Sequence, residues 1–199
     1  AQALLIPCLI ILIVLMAGAV WQIGDIVVEY IAERRKHKCD VPQLLRDVHT
    51  AGADGLADLI ETSGLLRRQK KALLELAESR GLPKDTLTAL AERLLATEEA
   101  RNARTTSVTD MIAKLGPMFG LLGTLIPLGP GIVALGQGDT VTLSESMNVA
   151  FDTTIAGVIS AAVASVISHI RKRWYNDDMV SLETLMEAVL EEVTSDVEG

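Results

Sequence analysis

The sequence predicts an all-α integral membrane protein with three transmembrane helices. Three apolar runs, at 1–28, 115–135 and 147–170, carry almost no charge. The second run would span about 30 Å as a helix, which matches the hydrocarbon core of a bilayer. Basic residues collect at one end of each run, as they do on the cytoplasmic side of membrane helices. Elsewhere, apolar residues recur at helical spacing, so we expect long helices that continue into a cytoplasmic helical bundle.

The composition argues against several classes of protein. The chain has a formal net charge of −8 and only 3% aromatic residues, so it lacks both the basic footprint and the stacking surface of a nucleic-acid-binding protein. Cys8 and Cys39 fall in different environments and outside any Cys-x-x-Cys pair, which predicts neither a disulfide framework nor a metal site. No catalytic triad or carboxylate pair is suggested by spacing, so we expect neither an enzyme nor a cofactor.

The first run, 1–28, is interrupted by a single charge, Asp25. A signal peptide is the competing interpretation, but the run has no basic segment before it. A basic cluster follows it at once, in a stop-transfer arrangement formed by Arg34, Arg35, Lys36 and Lys38. Trp21 and Tyr30 suit an anchor at the membrane interface. We therefore predict transmembrane helix 1 here.

Residues 29–114 and 171–199 are predicted to be helical and cytoplasmic. One helix ends at Ser63-Gly64, a second covers 65–80, and a third begins with Asp85 as its N-cap and continues to the second span. Apolar stripes mark these helices and are expected to pack on one another and on neighbouring subunits: Leu44, Leu45, Val48, Leu56, Leu59, Ile60, Leu87, Leu90, Leu94 and Leu95. The tail, 176–195, is acidic and amphipathic and is expected to pack on the same bundle.

The second and third runs are predicted to form a helical hairpin whose tip is an external loop at 136–146. That loop contains two acids, Asp139 and Glu145, and no basic residue. The inner ends are basic, with Arg101, Arg104 and Lys114 before the second span and Arg171, Lys172 and Arg173 after the third. The chain is therefore predicted to cross the inner (cytoplasmic) membrane three times. The positive-inside rule places its N-terminus outside and its C-terminus in the cytoplasm.

Small residues and prolines fill the second span. The Gly116-x-x-x-Gly120 spacing permits close helix contact, and Pro127 frees a backbone carbonyl inside the span. Plain helix packing with a kink explains these residues. A helix that lines a polar cavity explains them too, because unsatisfied backbone is tolerated there.

The third span is predicted to have two faces. Thr154, Gly157, Ala161, Ser165 and Ser168 form a small, polar face, opposite an apolar face of Ile155, Ile159, Ala162, Val166 and Ile170. A bundle interior or an ion path would account for the polar face, and the hydroxyls can also bond their own backbone. Asp152 is either a functional acid within the membrane or the cap of a helix that starts near Phe151.

Two motifs in this hairpin resemble one known family. The segment Pro117-Met-Phe-Gly-Leu-Leu-Gly-Thr124 resembles the second-span signature of the MotA/TolQ/ExbB proton-channel family. The segment Ala150-Phe-Asp-Thr-Thr154-Ile-Ala-Gly157 resembles its third-span signature. The order of the spans and the large segment between the first two are similar to TolQ and ExbB.

The resemblance implies a homopentamer around a dimer of a single-span partner of the TolR, ExbD or MotB type, which carries a membrane Asp. Protons or sodium ions would pass between them and drive motion that does work across the envelope. Thr124 and Thr154 would line the path, and Thr153, Asp152 and Ser165 are expected beside it. The pore wall would be shaped by Pro117, Gly120, Gly123, Pro127 and Gly157.

Two other functions fit the same spans. A non-conducting membrane scaffold predicts a dry, filled bundle axis and no partner span. An accessory subunit of a transporter predicts co-purification with a larger multi-span chain.

Overall fold

The computed structural model describes residues 2–31 and 40–198, and these residues are helical apart from short connections. The five helices are α1 (Gln2–Glu29), α2 (Val41–Thr62), α3 (Arg67–Glu78), α4 (Lys84–Gly136) and α5 (Thr140–Glu198). The all-helical prediction is confirmed. The basic cluster at Arg34, Arg35, Lys36 and Lys38, together with His37 and Cys39, lies outside the described residues.

The described chain divides into two compact units. The first contains Ala1–Val27 and Thr105–Lys172, and the second contains Val28–Arg104 and Arg173–Gly199. Helices α4 and α5 contribute residues to both. Among the described residues, α1, α4 and α5 are each long and apolar enough to cross a membrane. The prediction of three apolar helices typical of a membrane protein is therefore confirmed.

In the first unit, a small apolar core lies between α1, α4 and α5. It consists of Leu15, Ala19, Ile112 and Ala164. Most large apolar side chains of this unit point outward instead, including Ile13, Leu121 and Ile155 at 63%, 62% and 56% exposure. Exposed apolar surface on this scale is typical of helices that meet lipid or other protein chains.

The second unit has a larger apolar core. Leu56, Ile60, Leu76, Leu87 and Val189 are fully buried there, at 0–1% exposure. The apolar stripes predicted for α2 and for the first part of α4 all lie in this core or pack against it. The helical spacing read from the sequence is therefore confirmed for this unit, because residues three and four apart share a helix face.

Helix ends in the second unit follow local chemistry. Helix α2 is broken internally at Gly52, whose φ of 63° is favourable only for glycine. Helix α3 starts after Leu66, whose backbone N–H donates to Gln69 Oε1 at 3.2 Å. The prediction that Asp85 is the N-cap of α4 is wrong. The helix already begins at Lys84, and the Thr86 N–H donates to the Pro83 carbonyl. Pro83 has no N–H of its own, so it leaves no backbone donor unsatisfied at the start of this helix.

The connection between α4 and α5 is shorter than the predicted loop at 136–146. Helix α4 ends at Gly136 and α5 begins at Thr140. Asp139 makes the early start possible, because its carboxylate accepts hydrogen bonds from the N–H groups of Val141 and Thr142 at 3.2 and 3.1 Å. These bonds lower the pKa of Asp139, the Thr142 hydroxyl having the largest effect. The turn itself uses Gly138 at a φ of 80°.

Helices α4 and α5 approach closely through small residues. A methyl group added to Gly116 would lie 2.6 Å from the Gly157 carbonyl oxygen, and one added to Gly157 would lie 2.5 Å from the Gly116 carbonyl oxygen. Further along, Gly123 faces Thr153 and Gly131 faces Ser146, as expected for antiparallel helices. Any larger residue at Gly157 would therefore force the two backbones apart.

We expect Gly157→Ala to lower the stability of the purified protein by about 1–3 kcal/mol, because the added methyl group overlaps backbone atoms. Gly129→Ala is the matched control, since Gly129 is helical and has no atom within 4 Å of the added group. Alanine favours helix over glycine, so this control should leave stability unchanged or raise it slightly. Thermal unfolding in detergent, followed by circular dichroism, measures both. Equal losses from the two substitutions would contradict the close contact.

Candidate functional site

The third apolar segment presents two faces in the structure. Thr153, Gly157, Ser160, Ala164 and Ser168 form its buried stripe. The predicted apolar face is exposed throughout, at Ile155, Ile159, Ala162, Val166 and Ile170. Thr154 and Ser165 lie within about 20° of each other around the helix and flank the buried stripe. Thr154 is half-buried as a result, and Ser165 is exposed.

The hydroxyls of Thr124, Thr153 and Thr154 donate to their own helices. Thr153 and Thr154 share the Ala150 carbonyl, at 2.9 and 3.1 Å, and Thr124 donates to the Leu121 carbonyl at 2.7 Å. This is the backbone bonding that the sequence left open as an alternative. Each hydroxyl oxygen still has lone pairs that can accept a hydrogen bond or contact a cation.

Glycine contacts bring the threonine-bearing turns together. A methyl group added to Gly123 would lie 2.6 Å from Thr153 Cβ, and one added to Gly120 would lie 3.6 Å from Thr154 Cα. Thr124 directly follows Gly123 in α4 and is half-buried, like Thr154. Thr153 is 3% exposed. The structure thus gathers Gly120, Gly123, Thr153 and Gly157 in one helix contact.

Prolines change the backbone of α4 beside this contact. The helix continues through Pro117, Pro127 and Pro130. A proline has no N–H, so the carbonyl four residues earlier loses its helical partner. For Pro127 that carbonyl belongs to Gly123, which faces Thr153. Pro127 is buried and Pro117 is exposed. A backbone acceptor and three hydroxyls therefore occupy adjacent turns of two apolar segments.

Asp152 is exposed and lies in the interior of α5. The helix begins at Thr140, about three turns before it. The alternative in which Asp152 caps a helix that starts near Phe151 is therefore wrong. The earlier start is made possible by Asp139, which fills the capping role.

A buried arginine was not anticipated as a structural group. Arg171 was predicted only as an inner-end charge, yet it is 1% exposed. Its Nη1 donates to Gln22 Oε1 at 2.6 Å and its Nη2 to Asp25 Oδ2 at 2.8 Å. Gln22 and Asp25 are three residues apart and share a face of α1. The signal in the sequence was Asp25 itself, because a lone acid in an apolar run requires a partner.

A second polar cluster surrounds Asp110, which precedes the second apolar segment. The Ser168 hydroxyl and Lys172 Nζ, one turn apart in α5, both donate to its carboxylate, the lysine at 2.6 Å. These hydrogen bonds, that of Lys172 first, lower the pKa of Asp110. The neighbouring Thr109 hydroxyl is fully buried and has no hydrogen-bond partner within the described chain.

Comparison with known proteins identifies the family. The model of the MotA/TolQ/ExbB proton channel family matches residues 60–184, which include both threonine-bearing turns. The chain belongs to this family. Members of the MotA/TolQ/ExbB family are channel and transport subunits rather than enzymes, and they work with partner proteins in membrane complexes. Membership implies a proton-channel role in a stator-like complex. None of the curated proteins compared with the chain matches it.

The Arg171 cluster predicts a stability effect. Arg171→Met should cost about 1–3 kcal/mol, because it leaves the buried Gln22 oxygen without its donor. Arg173→Met is the control, since Arg173 is exposed. Denaturant unfolding in mixed micelles compares the two. An equally large loss from Arg173→Met would show that charge alone, and not burial, matters at this end of the segment.

The Asp110 cluster predicts a pH dependence. The pKa of Asp110 is lower in the folded than in the unfolded state. The charged carboxylate therefore stabilises the fold fully above the unfolded pKa of about 4, and this stabilisation is lost as the pH falls through the folded pKa. Asp110→Asn should therefore be less stable than the unmodified protein near neutral pH, and the difference should disappear in acid. Unfolding midpoints measured across this pH range test it. A difference that grows on acidification would contradict the sign.

Proposed function

We propose that the chain is the ion-channel subunit, for protons, of a motor complex driven by ion-motive force. In this proposal five copies surround a dimer of a single-span partner that carries a membrane carboxylate. The spans are 1–28, 115–135 and 147–170, the N-terminus is outside, and residues 29–114 and 171–199 are cytoplasmic. Membership of the MotA/TolQ/ExbB family supports the channel role, and the basic residues at the inner ends support the orientation.

The observation that carries the proposal is the set of hydrogen-bond acceptors within apolar helices. The Gly123 carbonyl lacks its helical donor, and the Thr124, Thr153 and Thr154 hydroxyls keep lone pairs beside it. In hydrocarbon such groups need water, an ion or a polar partner. Thr124 and Thr154 are half-buried in the single chain, which leaves them accessible to such a partner.

These groups accept hydrogen bonds but do not titrate near neutral pH, so proton transfer needs a carboxyl group. The partner's carboxylate fills this role in the proposal. Thr124 and Thr154 would hold the water or cation next to it, while Pro117, Gly120, Gly123, Pro127 and Gly157 set the helix geometry around them. Asp152 and Ser165, which are exposed in the chain, would stand at the margins of the path.

A scaffold without conduction is the second candidate. Two observations favour it: the threonine hydroxyls are already bonded to their own backbone, and helix packing alone accounts for Gly116, Gly123 and Gly157. The two candidates differ in whether loss of a hydroxyl changes ion flow.

Proton flux into liposomes tests the proposal. The chain is co-reconstituted with its single-span partner, and dye-reported uptake is driven by a potassium diffusion potential. Thr154→Val should slow uptake by about tenfold, a barrier change of about 1.4 kcal/mol, because it removes the acceptor oxygen but keeps the side-chain shape. Thr154→Ser should retain uptake.

Thr97→Val is the matched control, because the Thr97 hydroxyl bonds the Arg93 carbonyl in the same way but lies in the second unit. Asp152→Asn tests whether this acid takes part in proton transfer. Unchanged uptake would leave the partner's carboxylate as the group that carries the proton. Equal uptake by Thr154→Val, Thr154→Ser and the unmodified chain would contradict the assignment of Thr154 and favour the scaffold.

A further inference from the structure

We propose that neighbouring copies of this chain contact each other through a basic patch on α3 and an acidic stripe on α5. The basic patch is Arg67, Arg68 and Lys71, and the acidic stripe is Glu183, Glu187 and Glu191. The inference rests on the proposed assembly of several copies and specifies one of its contacts. Both surfaces belong to the second unit.

The basic patch opposes the electrostatics of its own helix. Helix α3 begins with the sequence Arg67-Arg-Gln-Lys-Lys71 and has no acid in its first turn. The N-terminal end of a helix carries a partial positive charge, so cations there are unfavourable. Lys70 is held by the Glu61 carbonyl at 2.7 Å, whereas Arg67, Arg68 and Lys71 are exposed and form no ion pair within the described chain.

Acids lie near the patch but form no ion pair with it: Glu61, Glu75 and Glu78 line a groove together with Arg67 and Lys71. Glu75 follows Lys71 by four residues, which is the weaker order for a helical ion pair, and the two do not pair. Arg68 borders a small cavity that Glu98 and Asp178 also line, but it bonds neither. The charges of Arg67, Arg68 and Lys71 are therefore unpaired within the described chain and remain available to a partner.

The acidic stripe shows the opposite imbalance. Glu183, Glu187 and Glu191 follow one another at intervals of four residues, so they lie along one face of α5. Like charges at this spacing repel. All three are exposed and unpaired within the described chain, while Leu182, Leu185, Met186 and Val189 fill the core from the other side of the helix.

A second copy fits both surfaces better than any other occupant. Each copy carries one patch and one stripe of opposite sign, so each can give one contact and receive one. Such a head-to-tail contact between different surfaces can close into rings, including rings with an odd number of copies, which two-fold contacts cannot build. An anionic lipid surface would satisfy the patch but would repel the stripe. Contact between copies relieves both imbalances.

Charge reversal in full-length protein tests the contact. The patch-reversed variant carries Arg67→Glu and Lys71→Glu, and the stripe-reversed variant carries Glu183→Lys and Glu187→Lys. Each variant alone should associate with itself about tenfold more weakly, because its patch and stripe then have the same sign. Mixed together, a tagged patch-reversed copy should capture the stripe-reversed copy much better than either variant captures itself, because each then meets a surface of opposite sign. High salt should weaken all of these contacts.

The control variant carries Lys84→Glu and Arg93→Glu, exposed charges elsewhere in the second unit. It should self-associate normally and should capture the stripe-reversed variant no better than the unmodified chain does. Thermal unfolding of every variant checks that the fold is kept.

The other outcomes overturn the contact in distinguishable ways. If mixing gives no gain in capture over either variant alone, while a chain with both reversals associates normally, the attraction lies within one copy. If the reversals leave self-association unchanged, the copies meet elsewhere and the proposed channel assembly stands without this contact. If the unmodified chain does not self-associate at all, the proposed assembly fails with it.

Discussion

The close approach of α4 and α5 is the constraint on which the hairpin depends. At Gly116 and Gly157 the backbones lie so near each other that a single methyl group would overlap a carbonyl oxygen. This approach sets the distance at which the turns carrying Gly120, Gly123 and Thr153 meet. The polar groups of the two segments are adjacent for that reason. In a membrane, where lipid tails give no hydrophobic drive for helix association, such packing contacts have to supply the attraction.

Polar side chains in the first unit form hydrogen bonds either within one helix or between helices, and among the described buried side chains the Thr109 hydroxyl is the exception without a partner. The Thr153 and Thr154 hydroxyls bond their own helix, whereas three side chains of α5 reach across helices. Arg171 donates to Gln22 and Asp25, and Ser168 and Lys172 both donate to Asp110. The cross-helix bonds join all three helices of the unit. They lie away from the threonine contact, because Arg171 and Lys172 are several turns further along α5 than Thr154.

Much of the fold was predictable because it depends on local patterns. Apolar runs, helical spacing and the stop at Ser63-Gly64 gave the helices and most of the second unit's core. The errors arose where one side chain decides the outcome. Asp139 caps α5 and shortens the expected loop, and composition alone does not reveal which acid in a loop will cap.

The candidate site was predictable to a different degree. The motif residues are in the family's matched region, and the glycine contacts follow from small-residue spacing. The orientation of Thr154 and Ser165 at the edge of the buried stripe depends on where neighbouring helices pack, which one helix's periodicity does not fix. The bond between Arg171 and Asp25 joins residues far apart in sequence, so no local pattern contains it.

The three prolines of α4 have a mechanical consequence. Each lacks the N–H that would bond the carbonyl four residues earlier, so the carbonyls of Ala113, Gly123 and Ile126 lose their helical donors while the helix stays continuous. A helix bends at the lowest free-energy cost where a backbone hydrogen bond is already missing. Pro117 lies between Gly116 and Gly120, and Pro127 lies about one turn after Gly123. Helix α4 is therefore expected to bend most easily beside the glycines that contact α5.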